Sequence, residues 1–309
     1  MEYWRVITIP GQFSISPNKE FSMKTDGFSG IFYKSPYKGT KNKVLIILCG
    51  SSGGRISMVP VAGYFSKHGL DCMIVDYYGR DGLPKDLKKM PVEVVGNAAE
   101  WLRNEGYKKV GVYGISMGTV IATLAAAAFP ELISCLILVS PIYMVTQAEK
   151  RNDSGVLDGS SFALYEKPYP YAKWGMSSLK FNLTYYRDCL IHRDLYCKNI
   201  VERAYSNCED TRAILPVEKA RASILFVSGS LDSMIPTDDT CRKFMKILDE
   251  NDYPYPHKHL NYEHLGHAIV PFRSPVLKAF RSERMFPVKG DKEKKQSYRE
   301  ITRFLKYNG

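Results

Sequence analysis

The run Lys108-Lys109-Val110-Gly111-Val112-Tyr113-Gly114-Ile115-Ser116-Met117-Gly118-Thr119 decides how the rest of the chain is read. A β-rich stretch, Val110 to Tyr113, meets Gly-x-Ser-x-Gly. From Thr119 through Leu124 and four alanines the chain then runs to Phe129-Pro130 as a helix former that is apolar all round. Strand, sharp turn and buried helix are the setting of a nucleophile elbow. The turn there holds a serine in a strained backbone conformation, and glycines two residues to either side leave room for it. Ser116 is therefore the candidate nucleophile. The amide N–H of Met117, at the helix N-terminus, would face an oxyanion formed at that serine.

The same five-residue pattern occurs at Gly50-Ser51-Ser52-Gly53-Gly54, after the strand-like run Val44 to Leu48. It comes too early, with several strands still to follow. In an α/β-hydrolase fold the loop that donates the second oxyanion N–H precedes the nucleophile turn, so the backbone of Ser51 or Ser52 is the candidate donor. The bland alternative for this site is a Gly/Ser turn with no chemistry.

The 309 residues suit one α/β domain, and no apolar run approaches the length of a membrane span. The start, Met1-Glu2-Tyr3-Trp4-Arg5, lacks the basic-then-apolar order of a signal peptide, so a cytoplasmic protein is expected. Seven cysteines, without CxxC or zinc spacing, read as reduced residues; Cys49, Cys72 and Cys135 sit inside apolar runs. A net charge of +11 favours anionic partners, but acids are interleaved among the lysines and no nucleic-acid module is present. Nucleic acid is thus not expected as a partner.

Strand and helix patterns alternate along the chain. Val6 to Pro10 and Gly30 to Lys34 read as antiparallel strands. Lys43 to Cys49, Cys72 to Val75, Ile133 to Val139 and Ile224 to Gly229 read as buried strands, and His257 to Glu263 as the last. Helices are expected over Met58 to His68, from Pro91 with Val92, Val95, Ala99 and Leu102 inward, over Asp238 to Glu250, and over Gln296 to Leu305. The alternation stops between residues 140 and 215. That aromatic-rich stretch is too long for a plain loop and is expected to be a small helical or irregular insertion, a lid over the site. The pattern as a whole predicts a mostly parallel sheet with helices on both faces.

A serine nucleophile needs a base, and the base an orienting acid. Asp232 follows the strand 224–228 and His267 follows the strand 257–263, so that Ser116, Asp232 and His267 stand in the order of an α/β-hydrolase triad. Asp238 or Asp239 could serve as the acid, although both open a helix, where capping is the plainer role. His264 competes with His267, which is preferred because Gly266 lets the loop turn beside it. Four histidines between 257 and 267 lack carboxylate partners at ligand spacing, and neither a metal nor a cofactor is called for.

Tyr77-Tyr78-Gly79-Arg80-Asp81-Gly82-Leu83-Pro84-Lys85, the elbow, Leu215-Pro216-Val217-Glu218-Lys219-Ala220 and Tyr262-Glu263-His264-Leu265-Gly266-His267 resemble the catalytic domain of acyl-CoA thioesterases related to bile acid-CoA:amino acid N-acyltransferase. The resemblance covers roughly Lys43 to Phe272 and implies an α/β-hydrolase acting on a small acyl substrate of the acyl-CoA class. Its nucleophile, acid and base fall on Ser116, Asp232 and His267. Met117 and Thr119 stand where the family more often has a charged residue and a glycine. The acyltransferase branch uses a cysteine nucleophile, so Ser116 implies hydrolysis. Two-domain members carry an N-terminal β-sandwich, which the residues before Lys43 are too few to supply. A carboxylesterase of small esters and a non-catalytic binding protein of the same fold are the alternatives; a peptidase would need a gating domain.

Overall fold

The computed structural model describes residues 13, 15–37, 42–151 and 155–308. Continuous apolar runs become strands buried on both faces: β3 (Lys43–Leu48), β4 (Asp71–Asp76), β5 (Lys109–Ile115), β6 (Cys135–Val139) and β7 (Ser223–Gly229). With β1 (Lys19–Phe21) and β2 (Ser29–Tyr33) before them and β8 (His257–Tyr262) after, they form one eight-stranded sheet in the order β1-β2-β4-β3-β5-β6-β7-β8. Among the described residues of this sheet only the pairings of β2, with β1 and with β4, are antiparallel. The mostly parallel sheet read from the sequence is thus present. The expected strand Val6–Pro10 lies outside the described residues.

Apart from the short α1 (Met23–Asp26) and α8 (Arg281–Met285), helices cover both faces, and β5 shows how. Gly111 and Tyr113 face α9 (Pro287–Asn308), where Leu305 approaches Gly111 and the Tyr113 and Tyr298 hydroxyls meet at 2.7 Å. One residue on, Gly114 faces α4 (Met117–Ala128) on the opposite side. α2 (Gly54–Lys67) joins α9 through the Tyr64–Tyr298 ring pair, and α3 (Glu93–Asn104) joins α4 where Gly96 meets the Phe129 ring. α7 (Thr237–Glu250) buries Cys241, Phe244 and Leu248 as expected, while Met245 is only partly buried.

Several boundaries differ from expectation, each for a local reason. α2 begins at Gly54, four residues before Met58, because left-handed Gly53 (φ 86°) ends the Gly/Ser loop and the Ser57 hydroxyl holds the Gly54 carbonyl at 2.7 Å. Pro91 does not open α3. It lies in a two-residue strand that pairs with Phe162–Leu164, and Val92 N–H donates to Ala163, so helix starts only at Glu93. The closing helix reaches back to Pro287.

Residues 140–215 are not mainly helical. Gln147–Glu149 pairs with Val156–Ser160, and Phe162–Leu164 with Lys167–Pro168, before α5 (Ser178–His192) and α6 (Lys198–Ser206). The second hairpin turns on Tyr165 (φ 46°) and Glu166 (φ 64°). Without a glycine or asparagine at that turn the sequence carried no hairpin signal.

Candidate active site

Ser116 occupies φ 54°, ψ −123°, a conformation that L-residues avoid, at the junction of β5 and α4. Two glycines make the junction possible. A Cβ on Gly114 would stand 2.3 Å from the Gly118 carbonyl oxygen, and one on Gly118 would stand 2.6 Å from the carbonyls of Leu48 and Cys49. The Ser116 N–H is held by the Val139 carbonyl at 3.0 Å, and its own carbonyl accepts from Thr119 N–H and the Thr119 hydroxyl. The side chain is left to point away from the sheet.

The Ser116 hydroxyl donates to His267 Nε2 at 3.0 Å, and His267 Nδ1 donates to Asp232 Oδ2 at 2.9 Å. Asp232 Oδ1 also accepts from the N–H groups of Met234 and Ile235, and Oδ2 from the Thr237 hydroxyl. Four donors thus surround a carboxylate only 2% exposed. His267 is held in place by its carbonyl, which accepts from the Ser140 hydroxyl at 2.7 Å. Gly266 has no left-handed φ. Its need is for space, since a Cβ there would meet Ser282 Oγ at 2.4 Å.

The competing residues are engaged elsewhere. His264 bonds Glu293 through both Nδ1 and its backbone N–H, and Asp238 and Asp239 pair with Arg242 and Lys243 one turn along α7. His257 meets Asp249 and His259 meets Ser228. Cys49 lies beneath the site, and burial pushes its thiol up to about 12, which removes it as a nucleophile near neutral pH.

Ser116, Met117, His267, Ser51 and Ser52 all line one cavity of about 440 Å³. Two tyrosines that the sequence reading used only as a family mark shape its floor: Tyr77 OH donates to the Cys49 carbonyl at 2.6 Å and Tyr78 OH to the Gly50 carbonyl at 2.7 Å. They hold the strand exit that presents Ser51 and Ser52. Segment 140–215 supplies much of the roof, including Trp174, Phe181 and Tyr185. It also supplies Glu149, which the sequence gave no reason to single out. No side chain among the described residues donates to that carboxyl, and burial raises it to about 7.

A family model described as BAAT / Acyl-CoA thioester hydrolase C terminal matches residues 90–291, well over half of the chain. The chain belongs to this family. Rat "Acyl-coenzyme A thioesterase 2, mitochondrial" is 25% identical over 238 residues, 76% of this chain and 47% of that protein. Mouse "Acyl-coenzyme A amino acid N-acyltransferase 1" is 24% identical over 246 residues, 79% of this chain and 51% of that protein. This family member therefore spans about half the length of the curated relatives it matches. In fold it is similar to MGS-M1, an alpha/beta hydrolase enzyme from a Medee basin deep-sea metagenome library, with a TM-score of 0.55 at 10% identity over 95% of this chain and 98% of that one. The α/β-hydrolase fold expected from the sequence is thereby established. No helix among the described residues is long and apolar enough to cross a membrane. The mitochondrial name of the rat relative leaves the cytoplasmic expectation without support from kinship.

Proposed function

We propose that this family member is a serine hydrolase of acyl thioesters, with acyl-CoA as its substrate class. The observation that carries the reading is the unbroken hydrogen-bond line from Ser116 through His267 to the four-donor Asp232, opening into a cavity of about 440 Å³. His267 takes the Ser116 proton as Oγ attacks the thioester carbonyl; the tetrahedral intermediate collapses by breaking the C–S bond, and the thiolate leaves with that proton. Water, deprotonated by His267, then attacks the acyl-serine and releases the acid. The N–H of Met117 and of Ser51 or Ser52 hold the oxyanion, helped by the N-terminal end of α4.

A serine at the elbow, where the resemblance gives the acyltransferase branch a cysteine, supports water as the acceptor. We read residues 1–309 as one α/β-hydrolase unit in which 140–215 acts as a lid, and we assign it to the cytoplasm, which imaging of the tagged chain against organelle markers tests. Arg151, stacked over Tyr78 at the cavity, supports electrostatic attraction of the coenzyme A phosphates.

The test is thioester absorbance across a chain-length series of acyl-CoAs, with nitrophenyl esters alongside. Ser116→Ala is expected to lower kcat by about 10⁶, as for other serine hydrolases. A variant that keeps most of the activity overturns the assignment. Turnover of the nitrophenyl esters alone moves the protein to the carboxylesterases. Activity on neither, together with no labelling of Ser116 by a fluorophosphonate, makes it a binding protein.

A further inference from the structure

α5 has two unlike faces. Phe181 and Tyr185 point inward and line the cavity that holds Ser116. On the other side Leu179, Leu183, Tyr186 and Leu190 recur at intervals of four, three and four residues, which on a helix of 3.6 residues per turn is one narrow stripe. They are 71%, 64%, 58% and 79% exposed, and Ile191, which follows Leu190 one row round the helix, is 66% exposed. Elsewhere among the described residues exposed large apolar side chains are scattered singly or in pairs along the sequence, which is ordinary. Five on one 15-residue helix are not.

The charges on α5 point to what covers the stripe. Lys180 and Arg187 are exposed and lie on the rows of the helix next to it. The one acid of α5, Asp188, is buried and accepts the Arg187 guanidinium, so the outer face of α5 presents no exposed carboxylate. Lys173 before the helix and Arg193 after it are exposed cations as well, on a chain of net charge +11. A second copy is a poor occupant. Two α5 stripes paired about a two-fold axis would set Lys180 and Arg187 against the same cations, and a helix about 22 Å long offers a small footprint beside the roughly 800 Å² per partner of a stable dimer. An anionic lipid surface satisfies both features, with apolar side chains entering the acyl boundary and cations meeting the headgroups.

We propose that α5 is an in-plane docking helix for anionic membrane surfaces, seating the roof of the cavity on the lipid. That the docked helix then draws acyl substrate from the membrane rests on the serine hydrolase reading; the docking itself does not.

The experiment is co-sedimentation of the full chain with vesicles of phosphatidylcholine alone and of phosphatidylcholine mixed with phosphatidylserine. Wild type and Ser116→Ala are expected to bind the mixed vesicles alike, more weakly at high salt, and to leave phosphatidylcholine vesicles largely unbound. The double variant Leu183→Ser, Leu190→Ser should lose at least about tenfold in binding, since each leucine withdrawn from the acyl boundary is worth about a decade or more. Lys180→Glu should weaken binding to the mixed vesicles only. Circular dichroism and thermal melting show that the variants are folded. Absence of binding by folded wild type, or equal binding by the double variant, overturns the proposal. So does a wild-type dimer in analytical ultracentrifugation that the double variant turns to monomer, which would make a second copy the occupant. Loss of hydrolysis in Ser116→Ala with binding intact bears on the catalytic reading alone.

Discussion

The floor and the roof of the cavity are built on different terms. At the floor, β3, β5 and the start of α4 meet backbone to backbone, and the polar groups that fix the elbow and the acid are partnered: the Ser116 carbonyl, the Thr119 hydroxyl, the Gly50 carbonyl and the four-donor Asp232. At the roof, four buried side-chain atoms lack any partner among the described residues: Ser161 Oγ, Trp174 Nε1, Asn182 Oδ1 and Asp188 Oδ2. Glu149 adds a carboxyl with no side-chain donor among the described residues. The floor is over-determined, as it must be to hold a strained serine. The roof is less completely satisfied, and the substitutions below test what that difference is worth.

Substitutions can break this contrast, and the largest effect is expected at the floor. Asp232→Asn should lower kcat by about 10⁴, because an amide in place of the carboxylate favours the wrong His267 tautomer. Thioester absorbance reads this directly, and a loss of less than tenfold would remove Asp232 from its role. Gly118→Ala forces a Cβ against two carbonyl oxygens and should destabilise the fold by about 3 kcal/mol, at the upper end for overpacking. Thermal unfolding at one pH measures it.

The next effect belongs to the roof and depends on pH. The folded-state pKa of Glu149 lies near 7 and its ordinary value near 4.5, so the unfolded chain gives up that proton first. Stability from this group is fully present below pH 4.5 and is lost as pH rises through 7. Glu149→Gln, which mimics the protonated form, should therefore gain on wild type with rising pH, by about 3 kcal/mol near pH 8 and by little near pH 4.5. Parallel stability curves across that range would contradict an isolated carboxyl.

The smallest pair sharpens the comparison with one chemical change made twice. Ser140→Ala removes the hydroxyl that holds the His267 carbonyl and should cost about 1 kcal/mol. Ser161→Ala removes a buried hydroxyl that bonds nothing among the described residues and should lie within about 0.5 kcal/mol of wild type or slightly above it. Equal losses in urea titrations would mean that floor and roof are satisfied alike.

The sequence by itself determined the fold class and picked out Ser116, Asp232 and His267, which the fold brings into one hydrogen-bonded line, because both readings depend on local order. Apolar runs buried on both faces make parallel strands wherever they occur, and Gly114 and Gly118 flank Ser116 in one short stretch. Asp232 and His267 could be found since each directly follows its strand. Tertiary structure alone decided the rest. Pro91 became strand because Val92 N–H found the Ala163 carbonyl, 71 residues along. Tyr77 and Tyr78 gained their work from carbonyls at Cys49 and Gly50, and Glu149 its isolation from the walls around it. The two faces of α5 were written in its spacing, but which of them would meet the cavity and which would stay bare was settled only by packing. Periodicity states that a helix has a side to bury, and long-range contacts choose what buries it.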